Sequence, residues 1–296
     1  MPRSAELAKF PLLLWLALTL VGCSELRARQ QAREGNRLFQ AGDYRAAVQS
    51  YEGSERLYPL PVVALNKGLA CRQLLLPGAK SSQNEKAVEC ALTAFQNLKK
   101  LNPADARADQ LYLQTLFDAD RFEQLARIFE ADLAKSPNDP AAINALAQVY
   151  SRWGRWEEAL RWTIERAKRR PNDAEARYAV GVFIYNRLFE KGGGPDKAGF
   201  DPRPNPEPKP VPAFGPGDIV GAERIRLADQ GIAELESALK LRANYADAMT
   251  YLGLLHRQKS FAYLEQPEQW QAAVDAAESY RQKATALHAQ HQPKLK

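Results

Sequence analysis

The amino-acid sequence predicts an all-α fold in which about six antiparallel helix pairs follow one another along the chain and stack into a solenoid. Two observations carry this prediction. Pro103, Pro137 and Pro171 each end an apolar helical segment, and they lie 34 residues apart in succession. Small and aromatic residues recur at matching places within these intervals. A helix pair cannot bury its apolar face alone, so repetition at this period predicts that neighbouring pairs complete one another's core.

The recurring small residues mark where the two helices of a pair are expected to cross, because small side chains let two backbones approach. In the first helix of five pairs this position is occupied by Gly35, Gly68, Ala147, Gly181 and Gly253. In the second helix it is occupied by Ala47, Ala91 and Ala159. The third pair has leucines at both places, Leu113 and Leu125. An aromatic residue follows the turn between the helices in three pairs, at Tyr44, Phe122 and Trp156.

The run from Gly35 to Ala47, together with the 34-residue period, resembles the consensus of tetratricopeptide repeat (TPR) proteins. The resemblance covers most of residues 28–285 and implies a right-handed superhelical solenoid. Its six units are expected to span 28–61, 62–104, 106–139, 140–173, 174–245 and 246–285. The second unit carries about ten extra residues near 77–84.

Residues 1–22 have the composition of a signal peptide that is cleaved from the mature protein. Arg3 and Lys9 give it a basic start, and an apolar stretch rich in leucine follows from Phe10 to Val21. That stretch is too short to span a bilayer but has the length of the apolar region of a signal peptide. The helical array is then expected over 28–289, with a flexible tail over 290–296.

Leu20, Val21, Gly22 and Cys23 resemble the lipobox of bacterial lipoproteins. The resemblance implies that Cys23 becomes the lipid-bearing first residue of the mature chain, followed by a lipidated linker over 23–27. Several acyl chains on one residue make an effectively permanent membrane anchor. Ser24 follows the cysteine, and the resemblance to lipoproteins then implies a location in the cell envelope, at the outer membrane and facing the periplasm. The alternative is an ordinary secretory peptide in which Cys23 is incidental.

A segment rich in glycine and proline interrupts the fifth unit at about 190–218. Between Lys191 and Gly217, 14 of 27 residues are Gly or Pro, which excludes a helix there. Every second residue from Pro202 to Pro212 is proline, so this stretch is expected to be a stiff polyproline II segment, roughly 30 Å long. Two interpretations stay open: a tolerated surface loop, or an arm that docks a partner.

The sequence offers little for catalysis or for the binding of metals, cofactors or nucleic acid. The formal net charge of +6 is mild, and we find no stripe of basic residues interleaved with exposed aromatic residues, as single-stranded nucleic acid requires. The glycine run 192–194 lacks the following lysine and hydroxyl residue of a phosphate loop. We therefore expect a non-catalytic protein without a cofactor, a bound metal or a small-molecule substrate.

Two further cysteines, Cys71 and Cys90, fall one on each helix of the second unit. The oxidising compartment that the lipobox implies would permit a disulfide between them, closing a loop of about 20 residues. The alternative is a pair of buried free thiols, and the sequence does not decide between the two.

The TPR resemblance implies that extended peptides bind in a concave groove lined by the first helix of each pair. Amide side chains there can pair with a peptide backbone, arginines favour acidic groups, and aromatic residues pack against apolar anchors. The groove candidates are Asn36, Phe39, Gln40, Arg72, Gln73, Arg107, Gln110, Gln114, Phe117, Asn144, Gln148, Arg152, Tyr178, Tyr185 and Asn186. Each of them could equally lie on an ordinary solvated helix face.

Together these features predict a membrane-anchored scaffold that mediates protein–protein interaction or assembly in the bacterial cell envelope. Its expected partners are other envelope proteins or extended peptides, with the membrane contacted through the lipid anchor and no nucleic acid bound. A second hypothesis is a lipoprotein that binds the cell wall or regulates a wall hydrolase.

Overall fold

The computed structural model describes the backbone of residues 9–192 and 214–291, and the side chains of residues 23–192 and 214–290. These residues form twelve helices and no strand. The helices are α1 (Lys9–Gln40), α2 (Tyr44–Leu57), α3 (Pro61–Gln73), α4 (Ser82–Leu101), α5 (Arg107–Asp118), α6 (Phe122–Lys135), α7 (Pro140–Arg152), α8 (Trp156–Arg169), α9 (Ala174–Lys191), α10 (Gly221–Leu241), α11 (Ala246–Ser260) and α12 (Pro267–His291).

Short turns join most consecutive helices, and short turns make neighbouring helices antiparallel. The turn from α1 to α2 is Ala41–Asp43, and the turn from α7 to α8 is Trp153–Arg155. Helix α1 packs on α2, α3 on α4, α7 on α8, α9 on α10 and α11 on α12. Among the described residues, the all-α prediction is confirmed: twelve helices follow one another, as about six pairs require, and packing within five of the pairs is observed.

Four prolines stop the second helices of the first four pairs. Each lies two residues beyond the last helical residue of α2, α4, α6 or α8, at Pro59, Pro103, Pro137 and Pro171. A proline disfavours helical geometry in the residue before it, so α4, α6 and α8 end where the 34-residue spacing predicts, while Pro59 ends α2 at 44 residues before Pro103. The periodicity of the sequence is thus the periodicity of the helix ends.

The turn between α3 and α4 is longer, running from Leu74 to Ser81, and it contains most of the extra residues predicted near 77–84, the last three of which begin α4. The buried side chain of Asn84 holds this turn. Its Oδ1 accepts from the backbone N–H of Leu76 at 2.7 Å, and its Nδ2 donates to the carbonyl of Ala79 at 2.7 Å. The added residues are therefore an ordered part of the first half of the chain.

The chain divides into two compact units, Met1–Ile128 and Phe129–Lys296. In the first unit, the fully buried rings of Tyr51 and Phe95 fill the core between helix pairs. A Cβ on Gly35 would lie 2.6 Å from the Tyr51 ring, and one on Gly68 would lie 2.4 Å from the Phe95 ring. The predicted crossing points are confirmed at both glycines, because no larger residue fits there.

The second unit has its own apolar core, built from α8 to α11. Ile184 and Leu188 of α9 are fully buried beside Leu252 of α11. A Cβ on Gly181 would lie 2.4 Å from Leu235 of α10, so this glycine too marks a close crossing.

The polypeptide leaves α9 and returns toward α10 at one place, which we call the base of the insertion. The backbone N–H of Ile219 donates to the carbonyl of Lys191 at 2.7 Å. The fully buried Arg224 donates to the carbonyl of Ile219 at 2.9 Å, to the carbonyl of Gly192, and to Oε1 of Gln258 at 3.1 Å. One guanidinium therefore joins α9, α10 and α11 where the insertion begins and ends.

Residues 23–27, predicted to be a linker, are helical and belong to α1. Residues 1–8, 193–213 and 292–296 lie outside the described residues, and with them the start of the predicted signal peptide, the proline-rich stretch and most of the predicted tail. In the part of the chain that the structure describes, no helix is long and apolar enough to cross a membrane.

Candidate functional site

Three of the groove candidates meet in a cleft in the first unit. Asn36, Phe39 and Gln40 of α1 line it on one side, and Asn66 and Leu69 of α3 line it on the other, with Tyr51 completing the lining. The cleft has a volume of about 260 Å³. We call it the amide cleft, because three of its six lining residues carry carboxamides.

Hydrogen bonds fix the polarity of the amide cleft. Oδ1 of Asn36 accepts from the hydroxyl of Tyr51 at 2.8 Å and from Nδ2 of Asn66 at 2.9 Å. Burial raises the pKa of Tyr51, so this hydroxyl stays protonated and remains a donor. The Asn36 carboxamide is thereby oriented with its NH₂ group as the remaining donor, while Asn66 keeps its carbonyl oxygen as an acceptor.

A donor and an acceptor side by side match the carbonyl and N–H of an extended peptide. Gln40 is exposed at the same cleft and carries both kinds of group. Phe39 and Leu69 give the cleft two apolar walls, and the Phe39 ring is held edge-on against Tyr44 with centroids 5.3 Å apart. The cleft can therefore bind a peptide backbone and an apolar side chain together.

In the first unit, the structure does not support the prediction that the groove arginines bind acidic partners. Arg72 donates to Oε1 of Gln114 at 3.0 Å and to Oδ2 of Asp118 at 2.7 Å. Arg107 forms an ion pair with Asp105 at 2.7 Å. Both guanidinium groups are thus already matched by a carboxylate of this chain, and Gln114 is engaged with Arg72.

The other candidates of the first unit lie apart from the amide cleft. Gln73 and Gln110 are exposed on α3 and α5. Phe117 is half-buried, with its ring 5.8 Å from that of Phe122 in an edge-to-face arrangement. None of these three residues lines the amide cleft.

In the second unit, two predicted residues belong to a row of aromatic rings on α9, on α11 and on Tyr245, the residue that precedes α11. The ring of Tyr178 lies 5.0 Å from that of Tyr245 and 5.6 Å from that of Tyr251. The ring of Tyr185 lies 5.3 Å from that of Tyr251 and 5.9 Å from that of Phe189. We call these five residues the aromatic row, and Phe189 is its most open member at 51% exposed.

Hydrogen bonding and burial keep the aromatic row uncharged. Glu175 accepts from the hydroxyl of Tyr245 at 2.6 Å and from Arg242 at 2.8 Å. The bond from Tyr245, followed by that from Arg242, holds the pKa of Glu175 below its ordinary value. Burial raises the pKa of Tyr178 to about 12 and also raises that of Tyr245. Tyr245 is itself buried, so the row offers a ligand the neutral rings of its half-buried and exposed members, which suit apolar or flat ligand groups.

The remaining candidates of the second unit sit on α7 and α9. Gln148, Arg152 and Asn186 are exposed. Oδ1 of Asn144 is buried, and no described residue donates to it.

The groove candidates did not include Asn66, Leu69, Tyr245, Tyr251 and Phe189, although these residues complete the two surfaces. Asn66 and Tyr251 share a register, since each lies two residues before a crossing glycine. That register faces the preceding helix pair, as the contacts of Asn66 with Asn36 and of Tyr251 with Tyr178 demonstrate. The position two residues before a crossing glycine is the sequence signal from which Asn66 and Tyr251 could have been predicted.

The cysteines occupy two different settings. Cys23 is exposed on α1 and makes no disulfide. Cys71 of α3 and Cys90 of α4 form a disulfide, with Cα atoms 5.9 Å apart. Across the described residues, no group of three or more His, Cys, Asp or Glu side chains could hold a metal ion.

No protein-family model and no curated protein matches the chain. Solved structures match it at low similarity. The crystal structure of MamA is 12% identical with a TM-score of 0.41, covering 80% of this chain and 97% of that one. The C-terminal part of a TPR repeat-containing protein from Cytophaga hutchinsonii is 13% identical with a TM-score of 0.42, covering 87% and 79%. YrrB, whose structure is described as a TPR protein with an unusual peptide-binding site, is 16% identical with a TM-score of 0.35, covering 81% and 97%.

At these identities and TM-scores the similarities assign the chain to no family. The described residues by themselves establish an all-α protein of helix pairs with one candidate surface in each unit, the amide cleft and the aromatic row.

Proposed function

We propose that this chain is a TPR-type scaffold of the bacterial cell envelope that binds extended segments of other envelope proteins and catalyses no reaction. The observation that carries the proposal is the amide cleft. Its central carboxamide, Asn36, is oriented by Tyr51 and Asn66 before any ligand arrives. A preoriented donor and acceptor lose little freedom on binding a peptide backbone, so binding is favoured.

In this proposal the chain is held in the outer membrane, facing the periplasm, by acyl chains on Cys23. Support comes from the lipobox-like sequence Leu20 to Cys23 and from the exposure of Cys23 on α1. The aromatic row forms a second contact surface, where Phe189 and its neighbours receive apolar side chains of a partner.

Site-specific photo-cross-linking in cells tests the binding surfaces. A photoreactive amino acid is placed at Gln40 in the amide cleft, at Phe189 in the aromatic row, and at Gln49 as a control. Gln49 is exposed on α2 and lines neither surface. We expect discrete protein adducts from the first two positions and none from Gln49. Equal adduct patterns at all three positions would contradict peptide recognition by these surfaces.

The same experiment separates the scaffold from a protein that binds the cell wall. Neutral aromatic rings in a row can also stack on flat sugar faces, so the aromatic row is the feature that favours the alternative. Peptidoglycan fragments recovered from the Phe189 position, with no protein adduct at Gln40, would support wall binding and overturn the scaffold proposal.

Mass spectrometry of the mature N-terminus tests the anchor separately. We expect the first peptide to begin at Cys23 and to carry the mass of its acyl chains, and the variant Cys23→Ser to lose both the modification and the membrane association. An unmodified N-terminus, beginning at any other residue, would disprove lipidation.

A further inference from the structure

An exposed stripe begins at Cys23, the first residue of α1 whose side chain the structure describes. Leu26 and Arg27 lie three and four residues after Cys23, and Gln30 and Arg33 follow Arg27 in steps of three, so all five lie on one face of the helix. All five are exposed, and Leu26 is 63% exposed. We call this set the α1 stripe. It places an exposed apolar side chain directly beside the predicted site of lipidation.

The opposite face of α1 is fixed to the core of the first unit. Ala28 is fully buried. The hydroxyl of Ser54 on α2 donates to the carbonyl of Ala28 at 2.7 Å, and the hydroxyl of Ser50 donates to the carbonyl of Gln31 at 3.0 Å. Helix α1 is therefore held in one rotational position from Ala28 onward, and the direction of the α1 stripe is set by the fold.

Very little chain separates Cys23 from this fixed point. Five helical residues span about 7.5 Å, at about 1.5 Å each. Residues 23–27, predicted to be a lipidated linker, are helical residues of α1. A lipid attached at Cys23 would hold the first unit at the bilayer surface with a defined face toward it.

The charges on the α1 stripe suit an anionic surface. Arg29 is paired with Glu25 at 2.7 Å, and Arg37 is paired with Glu34 at 2.6 Å. Arg27 and Arg33, in contrast, form no ion pair with any described carboxylate. Two unmatched guanidinium groups flanking an exposed leucine are complementary to phosphate headgroups over acyl chains.

We infer that the α1 stripe docks on the anionic phospholipid surface of the membrane, so that the first unit lies against the bilayer without a flexible tether. The inference rests on the proposed lipid anchor at Cys23. Leu26 enters the interface beside the acyl chains, and Arg27 and Arg33 bind lipid phosphates.

Fluorescence quenching on the full, lipidated chain tests this docking. The chain is reconstituted in vesicles of phosphatidylethanolamine and phosphatidylglycerol that contain a lipid with a nitroxide on its headgroup. A fluorophore is attached at Gln30→Cys in one preparation and at Thr93→Cys in another. Thr93 is exposed on α4, which packs on α3. We expect the Gln30 label to be quenched several-fold more strongly than the Thr93 label.

Charge reversal provides the matched comparison. The double variant Arg27→Glu, Arg33→Glu should reduce quenching at Gln30 at least twofold and remove its dependence on phosphatidylglycerol. The double variant Lys86→Glu, Lys100→Glu makes the same charge change on exposed positions of α4 and should leave quenching at Gln30 unchanged. If the stripe binds a protein partner and not lipid, the Gln30 label will stay unquenched, because these vesicles contain no other protein.

Flotation of the vesicles separates failure of the inference from failure of the anchor. If the chain floats with the vesicles but Gln30 and Thr93 are quenched equally, the docking of the α1 stripe is wrong and the lipid anchor stands. If the chain does not float, the anchor fails and the inference falls with it. Excess quenching at Gln30 that is sensitive to Arg27 and Arg33 supports both.

Discussion

Asn36 illustrates how a single side chain acquires direction. Its carboxamide could point either way, but the hydroxyl of Tyr51 can only serve it as a donor while protonated, and burial keeps it protonated. The carbonyl of Asn36 is therefore turned toward Tyr51, and its NH₂ group toward the open cleft. Asn36 would contact the peptide, but the hydroxyl of Tyr51 on α2 determines which way its carboxamide points.

The variant Tyr51→Phe tests this dependence. It removes only the hydroxyl, so we expect a loss of about 1 kcal/mol in the free energy of unfolding and weaker partner cross-linking from Gln40. Tyr44→Phe is the matched control, because the Tyr44 hydroxyl makes no hydrogen bond within the described residues. Chemical denaturation and the cross-linking yield are measured for both. Unchanged cross-linking in Tyr51→Phe would show that the orientation of Asn36 does not matter for binding.

Glu175 makes the free energy of unfolding of the protein depend on pH. Its folded-state pKa lies below its unfolded value because Tyr245 and Arg242 donate to the carboxylate. Its contribution is therefore fully present above the unfolded pKa, about 4.3, and is lost as the pH falls through the folded value. We expect the stability difference between the wild-type chain and Glu175→Gln to be constant near neutral pH and to shrink on acidification below pH ~4. Urea titrations at several pH values measure it, and a difference that grows with acid would contradict the assignment.

At the scale of elements, the crossing point of the helix pair α3 and α4 has no room for a side chain larger than that of glycine. A Cβ at Gly68 would meet the Phe95 ring at 2.4 Å, whereas a Cβ at Gly53 of α2 would meet the flexible Gln31 side chain at 2.6 Å. We expect Gly68→Ala to destabilise the first unit by about 1–3 kcal/mol through overpacking. Gly53→Ala should be neutral or stabilising by up to about 1 kcal/mol, because alanine favours a helix. Thermal denaturation of the two variants compares them directly, and equal effects would refute the crossing argument.

The disulfide between Cys71 and Cys90 joins the two helices on either side of the longer turn. It closes a loop with a sequence separation of 19 residues. Reduction should lower the stability of the first unit by about 3 kcal/mol, because the unfolded chain regains the freedom of that loop. Denaturation with and without a reductant measures the change, and Cys71→Ala, Cys90→Ala should already show it without reductant. A chain that is equally stable in both conditions would carry free thiols.

At the scale of the whole molecule, the second unit depends on one buried guanidinium. Arg224 donates to groups on α11 and at both ends of the insertion. Lysine is a point charge and cannot reproduce this fork of donors. We expect Arg224→Lys to cost about 1–3 kcal/mol for each charged hydrogen bond lost, and to raise hydrogen exchange at the end of α9 and the start of α10. Arg226→Lys, an exposed neighbour paired with Glu223 on the same helix, should change neither.

How much of this could be predicted from sequence depends on how local the cause is. Helix ends and crossing points leave periodic marks, since Pro103 and Gly68 act through their own backbone and their own pair. The ion pair of Arg72 with Asp118 joins residues 46 apart, and no local pattern announces it. The place of Asn66 beside Asn36 depends on the angle between two helix pairs, which only the packed core sets. Residues 23–27 continue α1 on the N-terminal side of the buried Ala28, and the sequence did not predict a helix there.

The base of the insertion has a consequence for engineering. Lys191 and Ile219 are hydrogen-bonded to each other, so the polypeptide departs and returns within a few ångströms. Many folded domains also have neighbouring termini, and such domains are tolerated where the host chain enters and leaves at one point. We therefore expect that a fluorescent protein inserted in place of residues 193–213 would leave the packing of α9 on α10 intact. This position is therefore an insertion site for a folded domain, and the hydrogen bonds of Arg224 hold its two ends together.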